Sequence, residues 1–109
     1  MEEISIEEFG RLDIRVGRVL KAERVPHTRK LIRLEVDIGE ESPRQLIAGI
    51  AGFYEPDELV GMNIVVLANL RPKKIMGMES KGMLLAADVD GRPVLLTVVE
   101  DVPPGTKVR

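Results

Sequence analysis

The groups best suited to chemistry in this 109-residue chain are cations, amides and hydroxyls, and they gather in one stretch. From Asn69 to Met83 the chain reads Asn-Leu-Arg-Pro-Lys-Lys-Ile-Met-Gly-Met-Glu-Ser-Lys-Gly-Met. Arg71, Lys73 and Lys74 stand close in sequence to the Asn69 amide and the Ser80 hydroxyl. Positive charge mixed with short neutral donors is what phosphate oxygens accept from. Pro72 stiffens the turn, and Gly77 and Gly82 let backbone approach a ligand closely. The competing reading is a polar connection between two strands, with Met76, Met78 and Met83 as core or gap fillers.

Enzymatic chemistry is disfavoured by the residues available. The one histidine, His27, lies in a Pro-His-Thr turn with no partner for base or ligand work. With no cysteine there is no thiol nucleophile and no disulfide, and a zinc site is not expected. Asp88-Val-Asp90-Gly91 lacks the downstream glutamate of a calcium loop and reads as a hairpin turn. The glycines at 77, 82 and 91 form no dinucleotide or Walker motif, and Ser80 has no base beside it. No catalytic constellation, metal or cofactor is expected. Aromatic residues make up only 3% of the chain (Phe9, Phe53, Tyr54), too few to suggest a base-stacking platform. If the ligand is a nucleic acid, recognition through phosphate, sugar and few base contacts is the expectation.

Net charge alone argues the other way, since the chain carries a formal −2. Its charges are segregated, however. Residues 11–33 hold eight basic and two acidic side chains, and residues 71–82 hold four basic against Glu79. The acids concentrate in 1–8 and in 35–58, where seven oppose Arg44 alone. Binding of a polyanion depends on local field, so a basic face on an acidic body is compatible with it, as is accidental clustering on a solvated surface. Arg15 is a weaker candidate within the basic segment, because Asp13 or Glu35 can pair with it.

The elements that must position these groups are mostly strands. At this length a single domain spanning 1–109 is expected. Ser5 and Glu8 have capping-box spacing for a short helix ended by Gly10, with Ile4 and Phe9 placed for a hydrophobic staple. From Asp13 the period is two, and Gly17 near the start of a long strand predicts a bend or close backbone approach. Leu34, Val36 and Ile38 alternate with Arg33, Glu35 and Asp37, a half-buried strand. Strands are also predicted over 45–50, 64–68, 83–87 and 94–99, with a short helix over 56–60 and a two-residue turn at Asp90-Gly91. Pro103-Pro104-Gly105 breaks the tail. A small helix between the third and fourth of five strands is the arrangement of an OB barrel, the expected all-β fold; an SH3-like barrel or an open α+β sheet is the alternative. No apolar run reaches the ~18–20 residues of a membrane span, and Met1-Glu2-Glu3 lacks a basic leader, so a cytoplasmic location without membrane contact is expected.

Several segments carry a family resemblance. Leu-Asp-Ile-Arg-Val-Gly-Arg-Val at 12–19, Lys-Leu at 30–31, Val-Asp-Ile-Gly at 36–39, Arg-Gln-Leu-Ile-Ala-Gly-Ile at 44–50, and Asn-Leu-Arg-Pro-Lys-Lys through Ser-Lys-Gly-Met-Leu-Leu-Ala-Ala at 69–87 occur in order. Together they resemble the tRNA-binding domain attached to, or acting beside, methionyl-tRNA synthetases, also found in the endothelial-monocyte-activating-polypeptide family. The resemblance implies an OB fold, no catalysis, tRNA binding by shape and backbone, and homodimerisation through the terminal extensions. It carries ligand-side roles onto Lys30, Asn69, Lys73, Lys74, Ser80 and Met83. A relative on the same fold, a secretion chaperone, keeps peptide binding open as a second function. The apolar Val94-Leu-Leu-Thr-Val-Val99 beyond the expected barrel favours a dimer; a hairpin folded back over its own barrel is the alternative.

Overall fold

A computed structural model describes all 109 residues. Strand β1 (Ile14–Arg24) organises it, because this single strand has different neighbours at its two ends. Its first half, Ile14 to Arg18, runs antiparallel to β4 (Asn63–Leu67). Its second half, Arg18 to Arg24, pairs with β2 (Ile32–Asp37). Gly17 sits where the strand changes sides. A Cβ there would lie 2.6 Å from Val36 Cγ1 and 3.1 Å from Ile38 Cγ2, so the missing side chain is the space into which β2 leans. A register shift between Val19 and Lys21 adds further twist and turns both Leu20 and Lys21 outward.

The rest closes around that strand. β2 continues into β3 (Arg44–Ala48), and β4 pairs with β7 (Met83–Leu84), so the order across the sheet is β3-β2-β1-β4-β7. The result is a nearly closed five-strand antiparallel OB barrel, and the SH3-like and open-sheet alternatives fall away. β2 has the expected alternation, with Ile32, Leu34 and Val36 fully buried and Arg33, Glu35 and Asp37 only half-buried. These side chains meet Val19, Leu46, Ile50, Leu59, Ile64 and Val66 in one core. Helix α2 (Pro56–Leu59) plugs one end through Leu59, and Gly61 (φ 89°) ends it. The Glu58 carboxylate accepts from the Glu55 N–H at its start. Helix α1 (Ile6–Phe9) carries the predicted capping box, Glu8 N–H to Ser5 Oγ and Ser5 N–H to Glu8 Oε1. Ile4 stays largely exposed, so the expected staple buries little of it. No helix is long and apolar enough to cross a membrane.

Three expectations need correction. The single strand over 83–87 is two short ones, β7 and β8 (Ala86–Val89), because the chain leaves the barrel between them. β8 turns at Asp90-Gly91 into β9 (Arg92–Leu95), as the turn signal required, but the strand stops at Leu95 and Val99 is fully exposed. The tail is not simply broken at Pro103-Pro104-Gly105. It turns there and returns as β10 (Lys107–Val108), pairing with Ile14 and Arg15. β10 covers the edge of β1 that β2 vacates by joining only at Arg18. Two residues of strand have no periodicity to detect.

Gly105 makes the return possible. It adopts φ 91°, its N–H donates to the Val16 carbonyl at 2.7 Å, and a Cβ would meet the Ile38 oxygen at 2.7 Å. Gly105→Ala combines left-handed strain with a backbone collision, and we expect a loss of about 1–3 kcal/mol in unfolding free energy. Hydrogen exchange should localise it: the Val16 amide, bonded to the Thr106 carbonyl at 2.8 Å, loses protection before the β1–β2 amides do.

Candidate nucleic-acid interface

The stretch from Asn69 to Met83 folds into a hairpin standing off the barrel. Its strands are β5 (Lys73–Ile75) and β6 (Met78–Ser80), with Lys73 opposite Ser80 and Lys74 opposite Glu79. Met76 (φ 51°) and Gly77 (φ 80°) form the tip, both left-handed as a tight two-residue hairpin turn requires. Glycine adopts this freely; methionine at the first position does so at a cost of order 1 kcal/mol. Met76 is therefore no core filler but an exposed tip residue, and Met83 is also about half exposed.

Polar contacts hold the hairpin to β3 where no regular ladder exists. The Lys81 N–H donates to the Gln45 carbonyl at 2.9 Å, and the Gln45 side-chain amide donates to the Glu79 carbonyl at 2.9 Å. The Ser80 hydroxyl accepts from the Ile47 N–H at 3.0 Å and donates to the Gly82 carbonyl at 3.2 Å. Arg44 donates to the Lys81 carbonyl at 3.0 Å and to that of Ala68, while Glu40 clasps its guanidinium through two bonds of 2.8 Å. These bonds, first of all, hold the Glu40 carboxyl below its ordinary range and raise the Arg44 guanidinium.

The candidate residues thus divide into two groups. Lys73, Lys74 and Arg71 are exposed and free of ion pairs and side-chain hydrogen bonds within the chain, and Lys30 joins them. Lys30 lies in the β1–β2 turn, where its carbonyl accepts from the Ala51 N–H at 2.9 Å. β3 connects these places: Gln45 and Ile47 carry the hairpin, and the residues just past Ala48 carry the Lys30 turn. An open groove of about 1430 Å³ beside the hairpin is lined by both signs of charge, Arg44, Arg71 and Lys81 with Glu40, Glu41 and Glu79.

Arg15, Asn69 and Ser80 are committed within the chain. Arg15 forms two bonds to Asp13 and one to the Ile38 carbonyl, and the bonds to Asp13 raise its own pKa. Arg15, with a lesser hydrogen bond from Lys107, lowers the pKa of Asp13. Both ends of the Asn69 amide are used, accepting from the Asp13 N–H at 2.8 Å and donating to the Arg11 carbonyl at 2.6 Å. Ser80 is 6% exposed, so its hydroxyl does not point out beside the lysines as its neighbours in sequence suggest.

The basic segment 11–33 is also less basic in space than in sequence. Arg15, Arg18, Arg24 and Arg33 are neutralised by Asp13, Asp101, Glu55, and Glu23 with Glu35. Arg11, Lys21 and Arg29, singled out by no motif, remain exposed and unpaired, as does Lys30. No three histidine, aspartate or glutamate side chains gather as a metal site.

A nearly closed OB barrel with a lysine-bearing hairpin and a second basic turn, both bonded to β3 or the residues just past it, belongs to the class of small OB-fold binding domains. The chain belongs, more narrowly, to a tRNA-binding domain family: residues 14–107 match the family described as "Putative tRNA binding domain". It is 61% identical over 107 residues to a methionine–tRNA ligase of Archaeoglobus fulgidus and 54% identical over 105 residues to that of Thermotoga maritima. These cover 98% and 96% of this chain, which spans about 16% of the length of each relative. Among solved structures, a MetRS related protein of Pyrococcus horikoshii superposes with a TM-score of 0.93 at 43% identity, covering all of both chains. The chaperone CsaA of Bacillus anthracis superposes with a TM-score of 0.88 at 37% identity, over 99% of this chain and 100% of that one.

Removing the Ser80 hydroxyl separates framework from contact. Ser80→Ala leaves the buried Ile47 N–H without an acceptor, and we expect a loss of about 1–3 kcal/mol in a denaturant melt. RNA affinity measured well below the melting temperature should change less than on replacement of Lys73 and Lys74. A stable variant with a large affinity defect would instead make Ser80 a direct contact.

Proposed function

We propose that this chain binds tRNA by shape and backbone contact, without strong sequence preference, and so strengthens the hold of a methionyl-tRNA synthetase on tRNA, as part of that enzyme or as a separate factor in the cytoplasm. The observation that carries this reading is the placement of unpaired charge. Most strand arginines are tied to carboxylates, whereas Arg29, Lys30, Arg71, Lys73 and Lys74 are exposed, unpaired and joined through β3. Unneutralised cations on a rigid barrel release counterions from a phosphate backbone when they engage it. In this reading Lys30, Arg71, Lys73 and Lys74 touch phosphate and Met83 lies beside them. Asn69, Ser80 and Arg15 hold the framework. The family membership and the ligase relatives support tRNA as the RNA.

Lys73→Ala/Lys74→Ala should weaken tRNA binding and reduce the log–log salt slope by about 0.7–0.9 for each phosphate that a lysine no longer neutralises. Unfolding free energy should stay within about 0.5 kcal/mol of the parent, since both lysines are exposed. Unchanged affinity and slope would reduce the hairpin to a connection. A second reading, peptide binding, is favoured by the likeness to CsaA; it requires affinity that barely responds to salt, because apolar docking releases no counterions.

We further propose a homodimer. Part of the extension after the barrel is satisfied within the chain: Leu95 packs against the core, its N–H donates to the Tyr54 hydroxyl at 3.1 Å, and Thr97 Oγ1 donates to the Asn63 carbonyl at 2.7 Å. Val89, Leu96 and Val99 stay exposed, as do Met1, Ile4 and Ile6 at the other terminus. Apolar surface at both ends is the kind that a second copy covers, and a two-fold axis would double the length of the basic surface. Light scattering at low micromolar concentration should give twice 12.1 kDa; a mass near 12.1 kDa would refute the interface.

A further inference from the structure

We infer that Phe53 is a stacking platform for an unpaired RNA base, an inference that rests on the tRNA-binding reading above. Of the three aromatic residues, Phe9 is partly covered and Tyr54 packs against the core with its hydroxyl bonded to the Leu95 N–H. Phe53 alone leaves 49% of its surface exposed, between neighbours that are core residues or lean on the core. Its backbone is tightly held. Gly52 takes φ 92°, the N–H groups of Phe53 and Tyr54 both donate to the Ile50 carbonyl at 3.1 Å, and Ala51 bridges to Tyr54. An aromatic side chain on so constrained a turn loses little freedom when a ring settles on it.

The surroundings identify the occupant. The Ala51 N–H bonds the Lys30 carbonyl at 2.9 Å, which sets the Phe53 turn against the turn carrying Arg29 and Lys30. Both cations are exposed and unpaired, and the nearby Glu55 is engaged by Arg24 through bonds of 3.1 and 3.2 Å. A Cβ placed on Gly49 or Gly52 would meet nothing within 4 Å, so the backbone on either side of this turn is bare. An apolar ring, two free cations and open space suit a nucleotide, with the base on the ring and the phosphate on the charge. An apolar peptide side chain would use the ring and leave both cations idle.

The test compares Phe53→Ala, Phe53→Leu and Phe53→Trp in binding to a tRNA transcript and to a blunt, fully paired RNA duplex of similar length. Alanine should weaken tRNA binding about five- to 150-fold, the equivalent of ~1–3 kcal/mol for one base–aromatic stack, with an unchanged salt slope. Duplex binding should not change. Leucine should behave like alanine and tryptophan like phenylalanine. Because the chain has no tryptophan, the Phe53→Trp emission reports the site directly and should be quenched by tRNA. Equal tRNA affinity in the alanine variant, leucine as good as phenylalanine, or a change of molar mass in place of affinity would each overturn the platform while leaving tRNA binding intact. Failure of the unsubstituted protein to bind tRNA would instead overturn the functional reading and, with it, this one.

Discussion

Closure of the barrel between β3 and the chain around Ser80 rests on polar atoms, with no strand ladder beneath them. β3 has a complete antiparallel partner in β2 but only isolated bonds on its other side. Arg44, Gln45 and Ser80 supply what a ladder along the open edge of β3 would otherwise supply, each reaching a backbone group across the gap. The same residues reach back into the sheet: Gln45 Oε1 accepts from Arg33 at 2.8 Å, and Arg33 is held by Glu23 and Glu35. The seam takes hold of the hairpin only along β6, at Glu79 and Ser80, and leaves β5 and the tip beyond it. That is why Lys73 and Lys74 of β5 stand in solvent.

Ion pairing then decides which cations are left for a ligand. Most strand arginines are consumed by acids brought beside them: Arg33 by Glu23 across the β1–β2 ladder and by Glu35 on its own strand, Arg15 and Arg44 by Asp13 and Glu40 close in sequence, and Arg18 and Arg24 by Asp101 and Glu55 from other parts of the chain. The hairpin and the β1–β2 turn are short, and although Lys74 stands opposite Glu79, Lys30, Arg71, Lys73 and Lys74 form no ion pair. Lys81 has the one carboxylate contact in this region, with Glu79 at 3.7 Å. Exposed pairs of this kind add little to stability. Their consequence is for the field, which is weakened at the paired strand arginines and left unneutralised at the hairpin and the β1–β2 turn.

Much of the fold was legible because the signals were local. The alternation of β2, the Ser5–Glu8 cap, the Asp90-Gly91 turn and the close approach at Gly17 each follow from a few adjacent residues. What was not legible depended on contacts between distant residues. β10 is two residues long and exists because Gly105 fits against Ile38 and Gly39. Arg18 is neutralised by Asp101, which is far along the chain. At the site, exposed lysines were correctly separated from the core by type alone. Ser80 and Asn69 were not, because a short polar side chain serves a phosphate or a neighbouring backbone amide equally well. Only burial and the Ile47 and Asp13 N–H groups distinguish the two uses. Phe53 could not be told from its neighbour Tyr54 until one was found packed and the other exposed.

This division of labour has a physical consequence for how such a domain can change. The groups that close the barrel are buried or doubly bonded, so replacing one leaves an unsatisfied partner and costs folding energy. The free cations and Phe53 make no stabilising side-chain bonds to the framework, and each can change at little cost to the fold. Affinity for a polyanion built from such groups adjusts in small steps, one phosphate at a time. Selectivity cannot be tuned the same way, because phosphates are alike in every sequence. On the proposed reading, such a barrel lends hold to a partner that supplies the discrimination itself.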